Sequence, residues 1–257
     1  MHWRVVPLSD RVGFLGVGFD NVGLEDVLST LRAHVESCEP GYMMSLNLDI
    51  LNRADQDAGF RRALMGATLV LMDSTPLIKV ASRMGIRVRE KLSGSDLMPL
   101  VCEYASGMGY SCYILGGMPG VPEKAAENLC GRYPELKIAG TLSPEYGFER
   151  ETETLSAVVK EVREAHPDVL FVCLGDPKGG MFISRNLNEL GASFTFDVGA
   201  AVDFAAGSVP RAPEWMQRAG LEWFYRFLRE PKRMFKRYFV DSWHFLSIWR
   251  KYGRVSA

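Results

Sequence analysis

From about residue 40 to residue 210, short apolar runs alternate with stretches whose apolar positions recur at helical spacing. The runs at 42–47, 69–72, 111–115, 137–141, 169–174 and 194–198 are rich in Val, Leu, Ile, Met and Phe and carry little polar alternation. Such continuity predicts strands buried on both faces. The amphipathic stretches 56–65, 96–107, 121–133, 152–165 and 178–190 predict helices between them. Strand and helix in strict alternation predict an α/β fold, a Rossmann-like parallel sheet with helices on both faces. An earlier segment, 12–17, followed by a helical stretch from 24 to about 36, predicts an edge strand or a small hairpin.

In sheets of this kind ligands bind at the carboxyl ends of the strands, so the residues directly after each apolar run define the candidate site. The tips carry Ser45 and Asn47, then Asp73-Ser74-Thr75, then Gly116-Gly117, then Thr141, then Gly175-Asp176-Pro177-Lys178, then Gly199 with Asp203 beyond it. Small and polar residues are also what a turn requires for its own sake. Asp73 has two readings: a cap for the next helix, or a general base accepting a proton from a substrate hydroxyl. Leu115-Gly-Gly-Met-Pro-Gly120 has the look of a phosphate-binding turn, and equally of a turn that needs glycine backbone angles. It is not G-x-G-x-x-G, and no acidic residue ends the next strand, so a dinucleotide cofactor is disfavoured.

The 47% apolar content is ample for a core and argues against disorder. Charge is unevenly placed. Residues 211–257 hold eleven Lys and Arg against four acids, a net +7, so residues 1–210 carry −8 of the chain's total of −1. Trp215, Trp223, Phe224, Tyr225, Phe227, Phe235, Tyr238, Phe239, Trp243, Phe245 and Trp249 are interleaved with those cations. The combination suits an anionic membrane surface or a phosphate-bearing substrate. A helix packed on the domain with its cations in water is the plain alternative, and single-stranded nucleic acid the weakest, since no nucleic-acid fold signature accompanies it. We therefore read 1–210 as an α/β domain and 211–257 as a basic, aromatic appendage. No apolar stretch reaches the roughly 18 residues a membrane span needs, so membrane contact is expected to be peripheral. The five cysteines form no CxxC pair and the four histidines have no ligand spacing, so no disulfide framework, metal or cofactor is expected. A cytoplasmic location at the inner face of the cell membrane fits these features.

Ser45-Leu-Asn47, Asp73-Ser74, Lys91-Leu-Ser-Gly-Ser-Asp-Leu-Met98, Leu115-Gly-Gly117, Gly175-Asp-Pro-Lys178, Val198-Gly-Ala-Ala-Val-Asp-Phe204 and Arg211-Ala-Pro-Glu-Trp-Met-Gln-Arg218 occur one after another in this order, then Gly220-Leu-Glu-Trp223, Tyr225-Arg226 and Glu230-Pro231. The ensemble resembles the WecG/TagA/CpsF glycosyltransferases, glycosyltransferase family 26, over residues 12 to 250. The resemblance implies an inverting, metal-independent transfer of a sugar from a UDP-sugar (N-acetylmannosamine, its uronate or a glucose type) to a polyprenyl-diphosphate-linked saccharide, in envelope or exopolysaccharide synthesis. It implies Asp73 as base with Ser45 and Asn47 beside it. Lys91, Gly116, Gly117, Lys178, Gly199 and Asp203 would be on the donor side, and Arg226, Arg233 and Lys236 would meet the diphosphate, the lipid-linked acceptor or the membrane. The expected partners are therefore the donor, the lipid-linked acceptor and the membrane surface, with a homo-oligomer left open. The chain departs from the family pattern at Ser45-Leu46, where Thr-Pro is usual, at Ser74, where Gly is usual, at Lys91, where Arg is usual, and at Gly179-Gly180, where Gln-Glu is usual. The last difference leaves open an alternative of another class, a non-catalytic homologue that binds nucleotide sugar or lipid carrier in a regulatory role.

Overall fold

The fold is described from a computed structural model, which covers residues 11–210, 213, 216, 225 and 241–253. Six strands, β3 (Gly41–Leu46), β4 (Leu69–Met72), β5 (Ser111–Gly116), β6 (Lys137–Leu142), β7 (Val169–Cys173) and β8 (Phe194–Asp197), form one sheet in the order β4-β3-β8-β7-β5-β6. Every pairing in it is parallel. Two preceding strands, β1 (Arg11–Phe14) and β2 (Val17–Asp20), form a separate antiparallel hairpin, the smaller of the two arrangements expected for this segment. The hairpin lies beside edge strand β4 without joining its ladder. Asp20 instead accepts from the Val70 backbone N–H at 2.7 Å, and the Arg11 guanidinium pairs with Asp20 and donates to the Ala67 carbonyl. An edge covered in this way offers no free ladder to another chain.

The helices α1 (Leu24–Ser37), α2 (Leu48–Gln56), α3 (Ala58–Met65), α4 (Thr75–Arg83), α5 (Gly94–Met108), α6 (Val121–Arg132), α7 (Thr152–Ala165), α8 (Lys178–Asn186) and α9 (Ala201–Ala205) cover both faces. Strand alternation sorts the core. Met44, Leu46, Val70, Met72, Leu170 and Val172 pack with residues of α2, α3, α4, α7 and α8. Met43, Leu69, Leu71, Val169, Phe171, Phe194 and Phe196 pack with residues of α1, α5, α6 and α9 on the opposite face.

The predicted helix at 56–65 is two helices. Asp57 stops α2 and caps α3, its carboxylate accepting from the N–H groups of Gly59 and Phe60. The remaining predicted strands and helices are present with ends shifted by a few residues, as fraying and capping allow. Helix α4 is an addition to the predicted elements. Its stretch is short, and its start, Ser74 with Pro76 in the first turn, reads as a loop until the cap is seen.

Beyond residue 210 the main described element is α10 (Asp241–Tyr252). It packs on α2: Ile248 is fully buried, and Phe245, Trp249 and Tyr252 lie against the same core cluster. Asp55 of α2 meets the His244 Nε2 at 3.1 Å and the Lys251 Nζ at 2.9 Å. Burial pushes the Asp55 carboxyl up, but Lys251 and His244 outweigh it and hold the group below its ordinary value. The ring of Tyr252 lies over Gly16 in the hairpin turn, where a side chain would not fit. The opposite side of α10 exposes Trp243 and Leu246. Among the described residues no helix is long and apolar enough to cross a membrane.

Candidate active site

In a parallel sheet every strand ends on the same edge, and helices α2, α4, α6, α8 and α9 each begin there after their strand. The positive ends of several helix dipoles thus surround one rim, which favours negative charge. The edge is assembled from four backbone approaches. Leu46 and Met72 are the last register pair of β3 and β4, so Asn47 and Asp73 stand one step beyond, on strands spaced about 4.8 Å apart. The Asp73 N–H donates to the Leu46 carbonyl at 3.1 Å, extending the ladder past the strand ends. The Leu92 N–H donates to the Met72 carbonyl at 3.0 Å, which brings Lys91 beside the same tip. A Cβ on Gly94 would lie 2.8 Å from the Val198 carbonyl oxygen, so only glycine lets the start of α5 touch the β8 tip and Gly199.

Each side chain has a definite task or setting. Asn47 occupies the N-cap of α2, its carbonyl accepting from the Ile50 N–H at 3.0 Å. The N-cap of α4 is Ser74, whose hydroxyl accepts from the Leu77 N–H at 3.5 Å. The N-cap position of α4 is thus Ser74, with Asp73 one residue before it. Ser45 and Asp73 are both partly buried, and strand alternation puts them on the same face of the sheet. Lys91 is partly buried as well.

Gly116 and Gly117 end β5 with φ of 108° and 88°, a region closed to most other residues. A Cβ at Gly116 would meet the Cys173 carbonyl at 2.6 Å, and one at Gly117 would press on Val202 of α9 at 3.1 Å. The glycines thus let the β5 tip, the β7 tip and α9 converge, which brings Asp203 of α9 to the same end. The Asp203 carbonyl accepts from the N–H groups of Ser208 and Val209.

Lys178 behaves differently. Its ammonium sits 3.0 Å from the Glu149 carboxylate and 3.7 Å from the centre of the Tyr146 ring. It lines a cavity of about 180 Å³ with Leu155, Met181, Phe182 and Arg185, between α7 and α8. Arg226, Arg233 and Lys236 lie outside the described residues.

One group at this edge was not anticipated from the sequence. Asp197, the last residue of β8, is 5% exposed. Burial, reinforced by the neighbouring Asp176 carboxylate, pushes its carboxyl well above the ordinary range, opposed by a hydrogen bond from the Gly199 N–H. Its position inside an apolar run, Phe-Thr-Phe-Asp-Val, is the signal that reading by strand tips passed over. No group of three or more His, Cys, Asp or Glu among the described residues is placed to hold a metal ion.

A rim of helix N-termini around a carboxylate, with a glycine-lined tip beside it, fits the family the motifs resemble. The description of the WecG/TagA/CpsF family of glycosyl transferases matches residues 12–256. The chain belongs to that family. It is a glycosyltransferase of the hexosyl-transferring kind. Similar proteins include the N-acetylglucosaminyldiphosphoundecaprenol N-acetyl-beta-D-mannosaminyltransferase of Staphylococcus aureus strain MW2, 27% identical over 227 residues and covering 87% of each chain. The protein of the same name from Bacillus subtilis strain 168 is 27% identical over 218 residues, 84% of this chain and 83% of its own. The WecG/TagA/CpsF match spans both the sheet and α10, so the helix that packs on α2 belongs to the shared sequence.

Proposed function

We propose that this enzyme transfers a hexosyl group from a UDP-sugar to a saccharide carried on polyprenyl diphosphate, with inversion and without a metal ion, in the synthesis of an envelope or exported polysaccharide. The observation that carries the reading is the placement of Asp73 at the tip of β4, one step past the Leu46–Met72 pair and hydrogen-bonded through its backbone N–H to the β3 tip. A carboxylate so placed is positioned to accept the proton of an acceptor hydroxyl as that oxygen attacks the anomeric carbon. The bond to the diphosphate breaks as the new glycosidic bond forms, and UDP leaves with the added negative charge.

Helix N-termini at the rim and Lys91 beside it supply positive potential for that leaving group. Gly116, Gly117, Gly199 and Asp203 form the donor side, and Ser45 and Asn47 stand next to the base. The relatives' names specify N-acetylmannosaminyl transfer to an N-acetylglucosaminyl-diphosphoundecaprenol acceptor, which makes UDP-N-acetylmannosamine the first donor to test. Residues 211–257 act as an appendage that meets the membrane carrying the acceptor, through cations that include Arg226, Arg233 and Lys236. On this reading the enzyme works in the cytoplasm, at the inner face of the cell membrane.

The test is transfer from a panel of UDP-hexoses to a synthetic N-acetylglucosaminyl-diphosphate polyprenol, with the product identified by mass. One donor yielding a disaccharide-lipid is the expected result. UDP binding without transfer from any donor to any acceptor would replace this reading with a non-catalytic one.

A further inference from the structure

Asp197 is an anomaly that the transfer reaction does not use. Its carboxyl is enclosed at the centre of the sheet edge, between β3 and β7, and its Oδ1 has no hydrogen-bond partner among the described residues. A buried carboxyl left half-satisfied costs stability, so such a group calls for an explanation. The residues around it supply one. A Cβ on Gly179 would lie 2.5 Å from Asp197 Oδ1 and 3.0 Å from its Cγ. A Cβ on Gly180 would overlap the Met44 methyl and approach Asp197 Oδ2 at 3.4 Å. Both glycines have ordinary helical backbone, so φ does not demand them; space does. The carboxyl therefore fills the volume into which a side chain at 179 would grow. Through the Gly199 N–H it also grips the loop after β8.

We propose that Asp197 is a positioning residue of the donor side, its carboxyl taking the place of a side chain at 179 and holding the first turn of α8 in register with the Gly199 tip. The proposal rests on the reading of this rim as the donor site. A neutral carboxyl is suited to the task, because it packs in an apolar enclosure without the cost of a buried charge. Among the described residues the ionisable neighbour that acts on it is Asp176 from the β7–α8 turn, and the Cys173 thiol, on the opposite face of β7, feels its charge; α8 meets it at Gly179 and Gly180. Lys178 is turned away to Glu149.

A four-protein cycle tests it: wild type, Gly179→Ala, Asp197→Ala and the double variant, read by thermal unfolding and by UDP binding in calorimetry. In a helix, Gly→Ala ordinarily stabilises. Here Gly179→Ala is expected to lower the unfolding midpoint in the wild-type background and to leave it level or raise it beside Asp197→Ala. Asp197→Ala is expected to weaken UDP binding by about tenfold or more, and Asp197→Asn, which keeps the shape and the acceptor for Gly199, to recover most of that loss. Equal destabilisation by Gly179→Ala in both backgrounds overturns the proposal. So does wild-type UDP affinity in Asp197→Ala.

Should Asp197→Ala fail to fold, Asp197→Asn carries the test alone. Wild-type UDP affinity should fall as rising pH ionises Asp197, while that of Asp197→Asn follows only the ionisation of the phosphate and stays flatter. Identical pH profiles count against the proposal. If wild type itself binds no UDP, the donor reading fails and this proposal falls with it. UDP binding that is intact in wild type and indifferent to Asp197 overturns the positioning role only.

Discussion

Asp73 and Asp197 are both carboxyls at strand tips of one sheet, and their surroundings differ. Asp73 is partly buried at the outer tip of β4, in the loop capped by Ser74. Asp197 is sealed beneath α8, where burial and the neighbouring Asp176 raise its carboxyl well above the ordinary range. The sign of the resulting pH dependence is fixed. A carboxyl raised in the folded state contributes fully below the ordinary carboxylate pKa, and its contribution is lost as pH rises through the raised value. Asp197→Asn should therefore gain stability over wild type as pH rises above the carboxylate range, with the two converging in acid, as denaturant unfolding across pH would record. The place of Asp73 at a strand tip was legible in the sequence because it comes directly after an apolar run. Asp197 was not, because nothing in Phe-Thr-Phe-Asp-Val tells which face of the strand the carboxyl takes or that two glycines on another helix make room for it.

The elements were largely legible, since buried parallel strands announce themselves as unbroken apolar runs. The misjudged places have local physical causes. One capping carboxylate, Asp57, splits a helical stretch in two, and a serine cap with an early proline starts α4 where the sequence reads as loop. How α10 packs was also beyond the sequence, because its partners on α2 and in the β1–β2 turn are some 190 residues or more away along the chain. The packing gives a measurable expectation. Ile248 is fully buried against the core, so Ile248→Ala should destabilise the docked helix by about 2–5 kcal/mol, seen as faster amide hydrogen exchange across α10 with less change in β3 or β7. Asp55 adds a pH term of its own. Its lowered carboxyl pKa makes its contribution present above the ordinary value and lost as pH falls through the lowered one. Protection of the α10 amides, corrected for the intrinsic exchange rate, should fall in acid, and less so in Asp55→Asn.

At the scale of the whole molecule, charge is divided between an acidic 1–210 and a strongly basic 211–257. On the proposed function, the rim of the sheet would take the sugar diphosphate, and the cations and rings of 211–257 would meet a lipid surface. Helix α10 ties the end of that tail back to α2 while exposing Trp243 and Leu246. Chain truncated after Pro210 is expected to lose both cosedimentation with anionic vesicles and most transfer to a lipid-linked acceptor. If it still pellets with those vesicles, the membrane contact lies in the domain. The cations expected over the diphosphate, Arg226, Arg233 and Lys236, lie outside the described residues.

The central claim is that the carboxylate of Asp73 takes the acceptor's proton. The most direct measurement compares Asp73→Asn with wild type for UDP affinity and for sugar transfer to a polyprenyl-diphosphate acceptor in the same preparation. The account expects unchanged UDP binding with transfer slowed by about 10²–10⁴-fold, the range for removal of a general base. Transfer at near wild-type rate in that variant would contradict it.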